Sequence, residues 1–157
     1  MRHYLDVCVP NVGQPERVRA WANEKHLQEV KSPTALEIVV GAGDKGGAWA
    51  VPSSFGSFAL SIRGTTQACA VWARAANPAD VESYFRKVME GVKRPGIEVK
   101  VDQGTSTPGA TGATRLLIYS VSGVGDQTRG FLYTLESAER AGGAFQASLQ
   151  AARYASP

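Results

Sequence analysis

"LEIVVGAGDKGGAWAVPSSFG", residues 36–56, decides between two kinds of fold. Gly41, Gly43 and Gly46 are spaced G-x-G-x-x-G and follow a β-branched run. In a dinucleotide-binding unit those glycines close a strand and open a helix whose N-terminus holds the pyrophosphate. That reading needs helix-compatible sequence from Gly43 onward. The text instead runs "GGAWAVPSSFGSF", with Pro52, two serines and Gly56 in the space such a helix would occupy. The strand-then-helix context that gives the motif its meaning is missing. Asp44, Lys45 and Gly46 read better as a tight turn joining two strands, "LEIVV" and "AWAV". A phosphate loop is therefore not expected, and neither is a parallel sheet.

Outward from that turn, the chain reads as antiparallel text. "SFALSIR" and "QACAVWAR" follow as strands joined through Gly64, Thr65 and Thr66, with Phe58, Leu60 and Ile62 alternating against Ala59, Ser61 and Arg63. Upstream, "LDVCV" reads as a short strand stopped by Pro10. "NVGQPERVRAWANEKHL" carries helix signals: Pro15 suits the first turn, Glu16 the positive end, and Val18, Trp21, Ala22 and Lys25 share a face. Downstream, "NPADVESYFRKVMEG" is the clearest helix. Asn77 caps it, Pro78 opens it, Val81, Tyr84, Phe85 and Val88 form its apolar stripe, and Gly91 stops it.

"GIEVKVD" then alternates Ile97, Val99 and Val101 against Glu98, Lys100 and Asp102, so one face of that strand meets water. "QGTSTPGATGA" (103–113) is a loop, and "TRLLIYSVS" and "RGFLYTLES" flank "GVGDQT" as a hairpin. In "AFQASLQAARY" the alternation of Phe145, Ala147, Leu149 and Ala151 favours a strand over the helix that its alanines would also permit. The expected product is a single α+β domain over 1–157. An antiparallel sheet of about six to eight strands carries two helices packed on one face, in two structural halves of about 1–76 and 77–157.

The totals bound the function. A chain of 157 residues, 43% hydrophobic and 20% charged, is an ordinary globular domain with no apolar run of about 18 residues to cross a membrane. A net charge of +3 without a basic stripe does not favour nucleic-acid binding. The opening "MRHYLDVCVP" has no h-region or cleavage site, which leaves a cytoplasmic chain or one whose export signal has been removed.

Cys8 and Cys69 are the two cysteines, both in apolar text. Two buried thiols or one disulfide are the alternatives, and the bridge is preferred. It would close a loop of about 60 residues, stabilise the fold by about 4 kcal/mol and call for an oxidising compartment.

Catalytic chemistry is sparse. His3 and His26 have no carboxylate or histidine at metal-ligand spacing, no G-x-S-x-G elbow occurs, and no close carboxylate pair stands out. No catalytic residue, cofactor or metal ligand is assigned. Trp21, Trp49 and Trp72, each flanked by alanine, read as core. The alternative is that Trp49, with Phe55 in "VPSSFGSF", anchors a protein partner, beside the "STPGATG" loop.

The segments "YLDVCV", "VRAWA", "GGAWAVPSSFGSFAL", "QACAVWAR", "VESYFRKV", "TRLLIYSV", "GFLYTLES" and "AFQASLQAA" together give the chain its resemblance to a group of small proteobacterial proteins, usually exported and often lipid-anchored through an upstream signal. The resemblance implies a periplasmic location, a lipid anchor in the precursor, and a Cys8–Cys69 bridge. It brings no activity and no functional residue with it. The function expected is that of a non-enzymatic periplasmic interaction protein, one form being an immunity-type inhibitor of a neighbouring toxin. The alternatives are a small enzyme or ligand carrier with a pocket between helices and sheet, and a structural component of an envelope or conjugation machine.

Overall fold

The computed structural model describes residues 2–54 and 56–155, without the Leu5 side chain; Phe55 lies outside the described residues. Local signals set most of its elements. Helix α1 (Pro15–Glu24) and helix α3 (Pro78–Glu90) each carry proline in the first turn, and Asn77 Oδ1 accepts from the N–H groups of Ala79 (3.0 Å) and Asp80 (3.2 Å). The strands are β1 (Gln28–Glu29), β2 (Gly47–Val51), β3 (Phe58–Ile62), β4 (Cys69–Ala73), β5 (Ile97–Asp102), β6 (Ser106–Thr107), β7 (Thr114–Gly123), β8 (Asp126–Ala138) and β9 (Ala147–Ala155). They form one antiparallel sheet in the order β1-β2-β3-β4-β9-β8-β7-β5, with β6 beside β7. The protein is thus α+β, and the last strand lies in the middle of its sheet.

The sheet joins two antiparallel meanders, β1-β2-β3-β4 and β5-β7-β8-β9 with β6 beside β7, at a seam where β4 pairs with β9. Period-2 alternation sends Trp49, Leu60, Val71, Leu149, Leu135 and Leu117, which stand opposite one another across the ladder, to a single face. Helices α1 and α3 bury Val18, Ala22, Val81, Phe85 and Met89 against that face. Phe85 is the pivot, 5.5 Å edge-on from Tyr119 and 6.3 Å from Tyr4.

Two segments expected as strands are helical. "LDVCV" belongs to a π-helix, Tyr4–Cys8, closed by Val9 N–H donating to Tyr4 O at 3.0 Å. Tyr4, Val7 and Cys8 all point into the core from spacings i, i+3 and i+4, which a strand cannot achieve. "ALEIVV" lies in helix α2 (Pro33–Val39), capped by Ser32 Oγ, which accepts from Ala35 N at 3.4 Å. Helix α2 covers the opposite face of the sheet. Val39 and Val40 pack there with Ala48, flanked by Trp72 and Phe145. Ser61 ties the layers together, donating to Val39 O (3.0 Å) and accepting from Trp72 Nε1 (2.8 Å). β3 is consequently buried on both faces over most of its length, where its alternation predicted one wet side.

The glycine motif therefore follows a helix, and the expected strand-to-strand turn is corrected to a helix-to-strand loop. Gly41, at φ +113°, caps α2 by donating to Leu36 O at 3.2 Å. Gly46 is needed for close approach, since a Cβ there would fall 1.9 Å from Ile62 O. Asp44 clamps the loop to the β3–β4 turn. Its Oδ1 accepts from Gly46 N (2.8 Å) and Gly64 N (2.6 Å), and its Oδ2 accepts from Thr65 Oγ1 (2.6 Å). The Thr65 hydroxyl, followed by the backbone N–H groups, holds the Asp44 carboxyl at a pKa of about 2.

Candidate functional site

Of the two expected anchors, Trp49 lies within the core, and Phe55 lies outside the described residues. Trp49 is 4% exposed, and its ring sits in the main core beneath the Arg19 guanidinium, 5.9 Å from its centroid. As placed, it offers no face to a partner. Trp72 packs 5.3 Å from Phe145 under α2, and Trp21 is half-buried with His3 edge-on at 5.8 Å. His26, just past α1, adopts a left-handed φ of 53°. Cys8 and Cys69 form the expected disulfide, with a Cα–Cα distance of 5.3 Å, joining the π-helix to the central strand β4.

A concave surface lies at one end of the sheet. A cavity of about 540 Å³ opens between the C-terminal end of α3, the loop before α1 and the core face of β5, β7 and β8. A second, of about 620 Å³, wraps over the same sheet end beneath the β3–β4 turn. Both are walled by Ile97, Val121 and Phe131, so they are two arms of one cleft. Their size falls within the usual range for small-molecule sites, about 300–1,000 Å³. Sheet register explains the floor. Val121 and Arg153 stand directly opposite Phe131 on its two neighbouring strands and share its face. Val9, Val12, Val88 and Val92 line the first arm from above.

The polar complement of this apolar floor is cationic. Arg94 borders the first arm; Arg129 and Arg153 border the second. Asp126 neutralises Arg129 at 3.3 Å, its own carboxyl held below the usual range first by the Thr128 hydroxyl. Arg94 and Arg153 have no ion-pair partner among the described residues. Arg153 is positioned by what Gly13 lacks: a Cβ at residue 13 would lie 1.9 Å from Arg153 Cδ, so the arginine stem crosses the loop at that point.

Tyr133 supplies one neutral donor. It lines the first arm and is 4% exposed. Burial pushes its pKa above the ordinary tyrosine value and keeps the proton on.

Sequence reasoning missed this site because its members come from six separated segments. The alternation of β7 and β8 marks Val121, Phe131 and Tyr133 as facing the core, but it does not say that the core opens there. The chain matches no protein-family model, no curated protein and no solved structure.

Proposed function

We propose that this chain is a binding module of an oxidising compartment such as the periplasm, and that its cleft takes a molecule with an apolar body and an anionic head. The observation that carries this reading is the pairing of a continuous Val–Ile–Phe floor with two arginines free of ion pairs, Arg94 and Arg153. An apolar body gains about 25 cal/mol per Å² of surface removed from water, and a carboxylate or phosphate head matches the guanidinium fork. Binding, rather than proton-transfer chemistry, suits the groups present. Arginine keeps its charge at every physiological pH, and the one buried phenol of the cleft is held protonated. The Cys8–Cys69 bridge supports the compartment, since such bonds persist where thiols are oxidised.

Calorimetry with a twelve-carbon fatty acid tests the proposal, with the matching uncharged alcohol as control. The acid is expected to bind and the alcohol to bind more weakly. Arg94→Ala and Arg153→Ala should each weaken the acid about tenfold, and less at high salt. Phe131→Asp should abolish binding while the fold survives, as judged by circular dichroism. Equal binding of acid and alcohol, or unaltered affinity in both arginine variants, would refute the reading.

A further inference from the structure

The two margins of the sheet are not alike. On one side the edge strand β1 is only two residues, Gln28–Glu29, too short to template another chain. On the other side β5 presents six residues, Ile97–Asp102, whose outer flank pairs with no strand among the described residues. Val101 on that strand is 40% exposed, one of three large apolar side chains so exposed among the described residues. Hydrogen bonding fixes which backbone groups point outward. Val124 N–H donates to Gly96 O at 3.0 Å, which makes Ile97–Gly123 a non-hydrogen-bonded pair of the ladder. Glu98, Lys100 and Asp102 then direct their backbone toward β7. Val99 and Val101 direct both their N–H and C=O groups away from the sheet, as Ile97 does its C=O.

We infer that this edge pairs with the same edge of a second copy, antiparallel about a twofold axis through Val99. The side-chain order selects that register. With Val99 opposite itself, Glu98 of each chain stands opposite Lys100 of the other on one face, and Ile97 stands opposite Val101 on the other face. Slipped by two residues, so that the axis passes through Lys100, Lys100 would oppose Lys100 and Glu98 of each chain would oppose Asp102 of the other, three like-charge clashes. Charges on an edge ordinarily repel an incoming strand; in this order they accept one partner in one register.

The charged pair is already ordered. Gln127 accepts from Lys100 Nζ at 2.6 Å and donates to Glu98 Oε2 at 2.8 Å, holding both on the face away from the core. The pairing also reaches the cleft. Ile97 walls both of its arms, so Val101 of the second copy, about 5 Å away across the new ladder, adds an apolar residue beside each cleft.

The edge pairing is independent of what the cleft binds, and its readout is mass. Sedimentation of the purified chain between about 1 μM and 1 mM is expected to show a concentration-dependent dimer. Glu98→Lys and Lys100→Glu each turn two attractions into two repulsions and should weaken the dimer about tenfold or more. Mixing these two variants restores both attractions, so the heterodimer should form where neither homodimer does. The double variant carrying both exchanges should dimerise like the parent. Val99→Pro removes an outward N–H that β7 does not use, and should give a folded monomer. A parent chain that stays monomeric across the whole range overturns the inference. So does a Glu98→Lys variant that associates more tightly, since its new positive charge meets Asp102 in the shifted register alone.

Discussion

Asp44 illustrates how one side chain carries a role that its neighbours in sequence do not advertise. Its carboxylate joins two loops about twenty residues apart through Gly46, Gly64 and Thr65. The carboxyl titrates at 3.8 when unperturbed and at about 2 in the fold. The clamp therefore contributes fully above about pH 4 and is lost as pH falls toward 2. Asp44→Asn should lower the urea midpoint at pH 7 and flatten the fall in stability between pH 4 and pH 2; an unaltered acid profile would show that another carboxylate governs it. Tyr4 plays a comparable part in the core, where its hydroxyl donates to Gln150 O at 2.8 Å and burial raises its pKa well above the tyrosine norm. That phenol stays neutral, so the contact is insensitive to pH.

Helix α2 is held by packing and by a short relay, Trp72 Nε1 to Ser61 Oγ to Val39 O. Ser61→Ala leaves a carbonyl and an indole N–H without their partner, at an expected cost of about 2 kcal/mol. Urea unfolding should show a lower midpoint with unchanged slope. The same helix marks the limit of what the residues disclose. Val39 and Val40 are β-branched and favour strands, so "LEIVV" reads as one. Ser32, Pro33 and Gly41 are nonetheless the start and stop signals of a helix, and Leu36, Val39 and Val40 fall at i, i+3 and i+4. Caps and tertiary cover outweigh propensity there. The same competition decides Tyr4–Cys8, where three buried side chains at helical spacing override β-branched text. Where propensity and pattern agree, as in α3, β7 and β8, the reading holds, and the ambiguous β9 is a strand as its alternation favoured.

At the scale of the molecule, strand order and cleft were beyond a linear reading, because both depend on which segments meet. The sulfur pair was legible, since Cys8 and Cys69 had no other partners to choose. Its bond spans a separation of 61 residues, and removing it with Cys8→Ala and Cys69→Ala should cost about 4 kcal/mol. The loss should be matched by adding reductant to the parent chain, with no further effect of reductant on the variant. A second consequence concerns birth order. β9 follows the other described strands in sequence yet lies between β4 and β8, so the two meanders have no common seam until β9 has been delivered. A chain emerging from a ribosome, or threading through a narrow export channel, holds two half-sheets with raw flanks until β9 has followed them out.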